Sequence, residues 1–165
     1  SQIDKGTLSA KTIGVVTLSG ENQSPELKLS METKMHLEIY KTRPDVKAIV
    51  HAHPVFATSY AGTDLKINTS ISGESRALLG DLVYADYALM GTKELALKVA
   101  NCCTKGNVII MQNHGVLTVG KTLFEAYDRI EVLEATAKIS YITEMLGKRK
   151  ELNEKQIKEI DDLFA

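Results

Sequence analysis

Apolar residues recur along this chain in short β-branched runs and in longer helical spacings, and the two kinds of segment interleave. Thr12 to Leu18 is rich in β-branched residues and ends at Ser19-Gly20, which predicts a strand and a turn. Glu21 to Leu29 reads as a polar loop. Glu32 to Tyr40 has helical character, with Met35, Leu37 and Ile39 as its apolar contacts. Arg43-Pro44-Asp45 ends that helix, because the residue before a proline is pushed out of the α region. Val46 to His53 predicts the next strand, stopped by Pro54, and a short helix is expected from Val55 to Ala61.

Thr63 to Asp81 gives no clear period. Thr92 to Cys103 predicts a helix, Val108 to Met111 a short buried strand, Asn113-His114-Gly115 a tight turn, and Val116 to Val119 a further extended run. Thr122 and Glu125 form a capping-box pattern that opens a long helix to about Leu146, with Gly147 as its stop. A last helix is expected from Asn153 to Phe164. Interleaved strands and helices indicate an α/β domain, while the spacing leaves parallel and antiparallel pairing open.

Composition adds limits. The 165 residues are the size of one domain, and 44% hydrophobic residues suffice for a core. Twenty basic against 21 acidic residues leave a net charge of −1, which points to neither nucleic acid nor an anionic membrane as partner. No apolar run approaches the roughly 20 residues that cross a bilayer, and the first residues, SQIDKGTLSAK, lack a signal-peptide core. The only cysteines, Cys102 and Cys103, are adjacent, so both are expected as free thiols in a reducing compartment, the cytoplasm.

Four histidines carry the candidate chemistry: His36, His51, His53 and His114. His51 and His53 are two apart on a predicted strand, so both imidazoles project from one face and can chelate a metal. Alone, such a pair is more often two ordinary histidines on a half-exposed strand. His114 follows an apolar strand and has the backbone freedom of Gly115 beside it, yet by itself it is more often a simple turn histidine. Glu32 stands at a helix start, one helical turn before His36. It suits a proton shuttle near a metal, though by itself such a residue is far more often an ordinary glutamate favoured by the helix dipole.

The ordered set is more specific than its parts. Leu29-Ser30-Met31-Glu32, His36, Arg43-Pro44-Asp45-Val46, His51-Ala52-His53-Pro54 and Gln112-Asn113-His114-Gly115 follow one another in sequence. Tyr87-Ala88, Gly91 to Ala96, Glu125-Ala126 and Leu133-Glu134 extend the series. Together they resemble the class II aldolase/adducin family, of the L-fuculose-phosphate aldolase type, across essentially the whole of residues 1–165. The resemblance implies a three-layer α/β/α domain around a largely antiparallel sheet, and a homotetramer. It implies Zn2+ held by His51, His53 and His114, with Glu32 as catalytic acid/base. The implied reaction is retro-aldol cleavage of a phosphorylated ketose to dihydroxyacetone phosphate and an aldehyde, through a metal-stabilised enediolate and with no Schiff-base lysine.

Three departures accompany it. The family's N-terminal helix and phosphate loop have no counterpart in this sequence, and the loop's last step corresponds to Ser1-Gln2. The family's Pro-Ser-Ser-Glu is Leu29-Ser30-Met31-Glu32, so Ser30 keeps a substrate-binding hydroxyl and Met31 does not. Ser72 lies near where these aldolases place a tyrosine contributed by a neighbouring subunit. A ketose-phosphate epimerase or dehydratase of the same superfamily, and a non-catalytic adducin-like domain, are the alternatives.

Overall fold

A computed structural model describes residues 5–164. Among them, four strands form one sheet: β1 (Ala48–Ala52), β2 (Val83–Ala85), β3 (Val108–Met111) and β4 (Gly115–Gly120), in the spatial order β1-β4-β3-β2. β4 pairs antiparallel with both β1 and β3, whereas β2 and β3 run parallel. The parallel pair needs a crossover, which α4 (Lys93–Cys103) supplies. The sheet is thus largely antiparallel, as expected.

β3 and β4 are buried along their whole length, and their side chains alternate between two apolar layers. Ile109, Met111, Leu117 and Val119 pack on Met35 and Ile39 of α1 (Thr33–Thr42) and on Leu95 and Val99 of α4. Val108, Ile110 and Val116 pack on the opposite layer. That layer holds Ala57 and Ala61 of α2 (Val55–Ala61), Leu79 of α3 (Gly73–Leu79), and Ile130, Leu133 and Ala137 of α5 (Leu123–Leu146). The result is three layers, helix on sheet on helix. This parity matters for chemistry: His51 shares the face of Ile49, the α1 face.

The helix ends obey local rules. Thr122 Oγ1 accepts from Glu125 N at 3.1 Å, while the Glu125 carboxylate accepts from Lys121 N at 2.7 Å, one residue earlier than an ideal capping box. α6 (Glu154–Phe164) opens with a reciprocal pair, Gln156 N to Asn153 Oδ1 and Asn153 N to Gln156 Oε1, both 3.0 Å. Arg76 of α3 holds α6 through both oxygens of Asp161.

One expected element is corrected. Thr12 to Leu18 is not a strand: a 3-10 turn covers Ala10–Thr12, and one bridge, Val16 to Asn22, is all that follows. Ile13, Val15 and Leu18 are 67%, 59% and 61% exposed, so these residues meet no sheet surface that would hold them extended. Within the segment of no clear period, Ser72 caps α3 by accepting from Ser75 N at 3.1 Å. β2 is a strand that the spacing did not announce. The expected correspondence at Ser1-Gln2 lies outside the described residues.

Candidate metal centre

β1 delivers the first histidine. His51 Nδ1 lies 2.8 Å from Val116 O on the neighbouring strand. A carbonyl only accepts, so Nδ1 carries the proton and Nε2 keeps its lone pair. That Nε2 is buried and has no hydrogen-bond partner. Burial pushes the imidazole pKa down to about 4, with the neighbouring His114, His53 and His36 adding to the shift, so the ring is neutral near pH 7.

His53 stands one residue beyond β1 and lies against Gly115. A Cβ on Gly115 would sit 2.4 Å from His53 Cδ2 and 2.8 Å from Ala52 O. Gly115 is therefore needed for space. The left-handed residue of the β3–β4 turn is Asn113, with φ of 53°, which corrects the expectation that Gly115 supplies backbone freedom. Asn113 N donates to Ala61 O at 2.9 Å and His114 N to Met111 O at 3.1 Å. The turn thereby aims His114 at the other two, with its Nδ1 buried and without a partner.

The three rings meet. Centroids are 4.8 Å apart for His51 and His53, 4.9 Å for His51 and His114, and 5.4 Å for His53 and His114. One nitrogen from each lies within 4.8 Å of the others. His53 is exposed and the other two are half-buried, so the cluster opens to solvent on one side. Spacing of this order lets small ring rotations bring all three nitrogens onto one ion, and unsatisfied buried nitrogens need such a partner.

Glu32 arrives from α1. It occupies the N-cap position with helical backbone angles, and its side chain makes no cap bond. The carboxylate turns to the triad instead: Oε1 is 3.8 Å from His114 Nε2, and Oε2 is buried without a partner. At 3.8 Å this approach is longer than a hydrogen bond. Ser30 Oγ accepts from Glu32 N at 3.2 Å, which fixes the backbone that presents the carboxylate.

His36 is not part of the triad. It lines a groove of about 330 Å³ with Ser30, Glu32 and Tyr40, its Nε2 has no partner, and burial lowers its pKa. Met31 borders a second groove, of about 750 Å³, together with Leu29, Met90, Lys34 and Lys93.

Two supporting residues stand in the sequence motifs without the role the structure gives them. Gly115 was noticed for the wrong reason. Glu134 of α5 accepts from Phe56 N and Ala57 N, both at 2.9 Å, directly after the His53-Pro54 step. A glycine following a histidine at the mouth of a fully buried strand is a signal of close approach, whereas no local signal marks Glu134.

Comparison with known proteins gives the family. The sequence profile described as Class II Aldolase and Adducin N-terminal domain matches residues 1–141. An L-fuculose phosphate aldolase of Methanococcus vannielii is 39% identical over 137 residues, covering 83% of this chain and 73% of that protein. A 3-oxo-tetronate 4-phosphate decarboxylase of Pectobacterium atrosepticum is 34% identical over 149 residues, covering 88% of this chain and 66% of that one. A solved L-fuculose 1-phosphate aldolase superposes with a TM-score of 0.89 at 31% identity, over 99% of this chain and 77% of that one. The chain therefore belongs to the class II aldolase and adducin N-terminal domain family, on the side of its enzymes, the aldehyde-lyases.

Proposed function

We propose that this protein is a zinc-dependent aldolase that cleaves a ketose phosphate of the L-fuculose 1-phosphate type into dihydroxyacetone phosphate and an aldehyde. The observation that carries the reading is the meeting of His51, His53 and His114 beside Glu32, with buried unpartnered atoms on His51, His114 and Glu32. The three imidazoles suit Zn2+, which takes three protein nitrogens and leaves one position open. Bound there, the ion supplies Lewis-acid stabilisation of charge developing on a substrate oxygen.

The chain's own groups do the rest. The Val116 carbonyl holds His51 in the tautomer that offers Nε2. Glu32 takes and returns the proton at its Oε2, the unpartnered oxygen. Ser30 presents a hydroxyl to the substrate at the junction of the two grooves, which both include it. Free Cys102 and Cys103 fit a cytoplasmic location. No described helix is long and apolar enough to cross a membrane. Residues 1–165 are read as one class II aldolase-like domain. The assembly is read as a homotetramer, so sedimentation should give a mass near four times 18.1 kDa.

A second reading has its own support, since the Pectobacterium relative is named as a decarboxylase. Both reactions break a C–C bond next to a carbonyl, so the same donors serve either. The discriminating experiment supplies L-fuculose 1-phosphate, L-ribulose 5-phosphate and 3-oxo-tetronate 4-phosphate, each with and without chelator. Triose phosphate from a ketose phosphate, abolished by chelator, is the expected result. Carbon dioxide and triose phosphate from 3-oxo-tetronate 4-phosphate, with neither ketose phosphate cleaved, would move the protein to the decarboxylase reading. His53→Ala should lose most bound metal and nearly all activity, because two remaining nitrogens make a poor site. Glu32→Gln should keep the metal and lose turnover by about 10²–10⁴-fold. Normal zinc in the first variant, or unchanged turnover in the second, would remove the role given to that residue.

A further inference from the structure

α2 has only seven residues and follows Pro54, whose side chain cannot cap it. Its first amides need acceptors from elsewhere. Glu134, on the long helix α5, provides both: Oε1 takes Phe56 N and Oε2 takes Ala57 N, each at 2.9 Å. The carboxylate also places negative charge where the helix dipole favours it. Thr58 N closes the first turn onto Pro54 O at 2.9 Å. Pro54 itself has φ of −64°, fixed by its ring. The first turn of α2, Pro54 and His53 thus form one short stiff piece, and Glu134 bolts that piece to α5.

The other side of His53 is also bounded. Gly115 lies under the imidazole so closely that even a methyl group there would collide with the ring. His53 is held from its backbone by the Glu134 clamp and faced on its ring by the β4 backbone. We propose that Glu134 is a positioning residue for the metal centre: by clamping the first turn of α2 it fixes His53 where its nitrogen shares one ion with His51 and His114. The inference rests on the metal reading of the triad. Partners that orient metal-binding histidines characteristically change metal affinity by about 10–100-fold when removed. A carboxylate that served only to cap a helix would change stability and leave affinity alone.

The test is a competitive Zn2+ titration of the full chain against a chromophoric chelator, with Glu134→Gln and Glu125→Gln compared. Glu125 makes a similar carboxylate-to-amide bond at the start of α5 and lies against Gly120, the end of β4 opposite Gly115, so it controls for lost capping. The expected result is one Zn2+ per unaltered chain, binding weaker by about 10–100-fold in Glu134→Gln, and little change in Glu125→Gln. Equal affinity in Glu134→Gln overturns the clamp and leaves the metal reading standing. Equal weakening in both variants also overturns the clamp. No Zn2+ bound by the unaltered protein overturns the metal reading and the clamp with it. Should Glu134→Gln fail to fold, amide exchange in the unaltered protein decides. Coupling is reciprocal, so Zn2+ should slow exchange of the Phe56 and Ala57 amides, and unchanged exchange there overturns the proposal.

Discussion

At the scale of single residues, the centre depends on an absent side chain as much as on present ones. Gly115 has ordinary backbone angles among the glycines, yet a Cβ there would meet His53 Cδ2 at 2.4 Å and Ala52 O at 2.8 Å. The carbonyl cannot yield without disturbing the β1–β4 ladder, in which Ala52 pairs with Val116. Gly115→Ala must therefore push His53 out of place. The expected result is at least about 10-fold weaker Zn2+ binding and a loss of about 1–3 kcal/mol in stability from overpacking. Zinc titration and urea unfolding measure the two, and unchanged zinc affinity would show that the ring has room to move. Much of the site was legible at this scale. Strand alternation put His51 and His53 on one face, and the turn after a buried strand marked His114. What sequence could not give was the partner: the glycine after His114 signals a close approach without saying that His53 makes it, and nothing local says that Glu134 reaches α2, since both contacts are made only when distant segments pack.

At the scale of elements, the Arg43-Pro44-Asp45-Val46 turn carries structure rather than chemistry. Arg43 Nε and Nη2 bind both oxygens of Asp45 at 2.8 and 2.6 Å. Nη2 also donates to Asn107 Oδ1 at 3.2 Å, and Nη1 donates to the Cys103 carbonyl at the end of α4. One guanidinium thus ties the end of α1 to the α4–β3 connection, behind the layer on which Glu32 is mounted. The Arg43 guanidinium holds the Asp45 carboxyl down to about 2 through its hydrogen bond. A lysine lacks the planar fork and cannot make these bonds together. Arg43→Lys should cost about 1–2 kcal/mol in urea unfolding with zinc affinity unchanged. A loss of zinc binding would mean that this turn reaches the centre directly. The same dependence on partners explains which elements could be read from sequence. α5 announces itself through Thr122 and Glu125, β3 through an unbroken apolar run and β4 through β-branched and apolar residues, because burial on both faces is written locally. Thr12 to Leu18 had strand composition without a sheet edge to join. The three residues of β2 are a strand because β3 lies beside them, a non-local fact.

At the scale of the molecule, the centre joins parts of the chain that the sheet keeps close but does not lock. Glu32 comes from α1, His51 and His53 from the end of β1, and His114 from the β3–β4 turn. All of them face the α1 side of the sheet or its rim, while Glu134 and α2 support the centre from the opposite helical layer. The unfolded chain has no such arrangement, so an ion that binds the folded state alone must stabilise it. At free Zn2+ 100-fold above its dissociation constant the gain is about 2.7 kcal/mol. For a chain of this size each kcal/mol moves the melting temperature by about 2–4 °C. Stripping the metal with chelator should therefore lower the melting temperature by about 5–10 °C, and Zn2+ should restore it. His53→Ala should melt at one temperature with or without Zn2+, because its metal-dependent part is gone. A melting temperature indifferent to chelator in the unaltered protein would mean that no ion links these elements. A chelator response retained in His53→Ala would place the stabilising ion elsewhere in the chain.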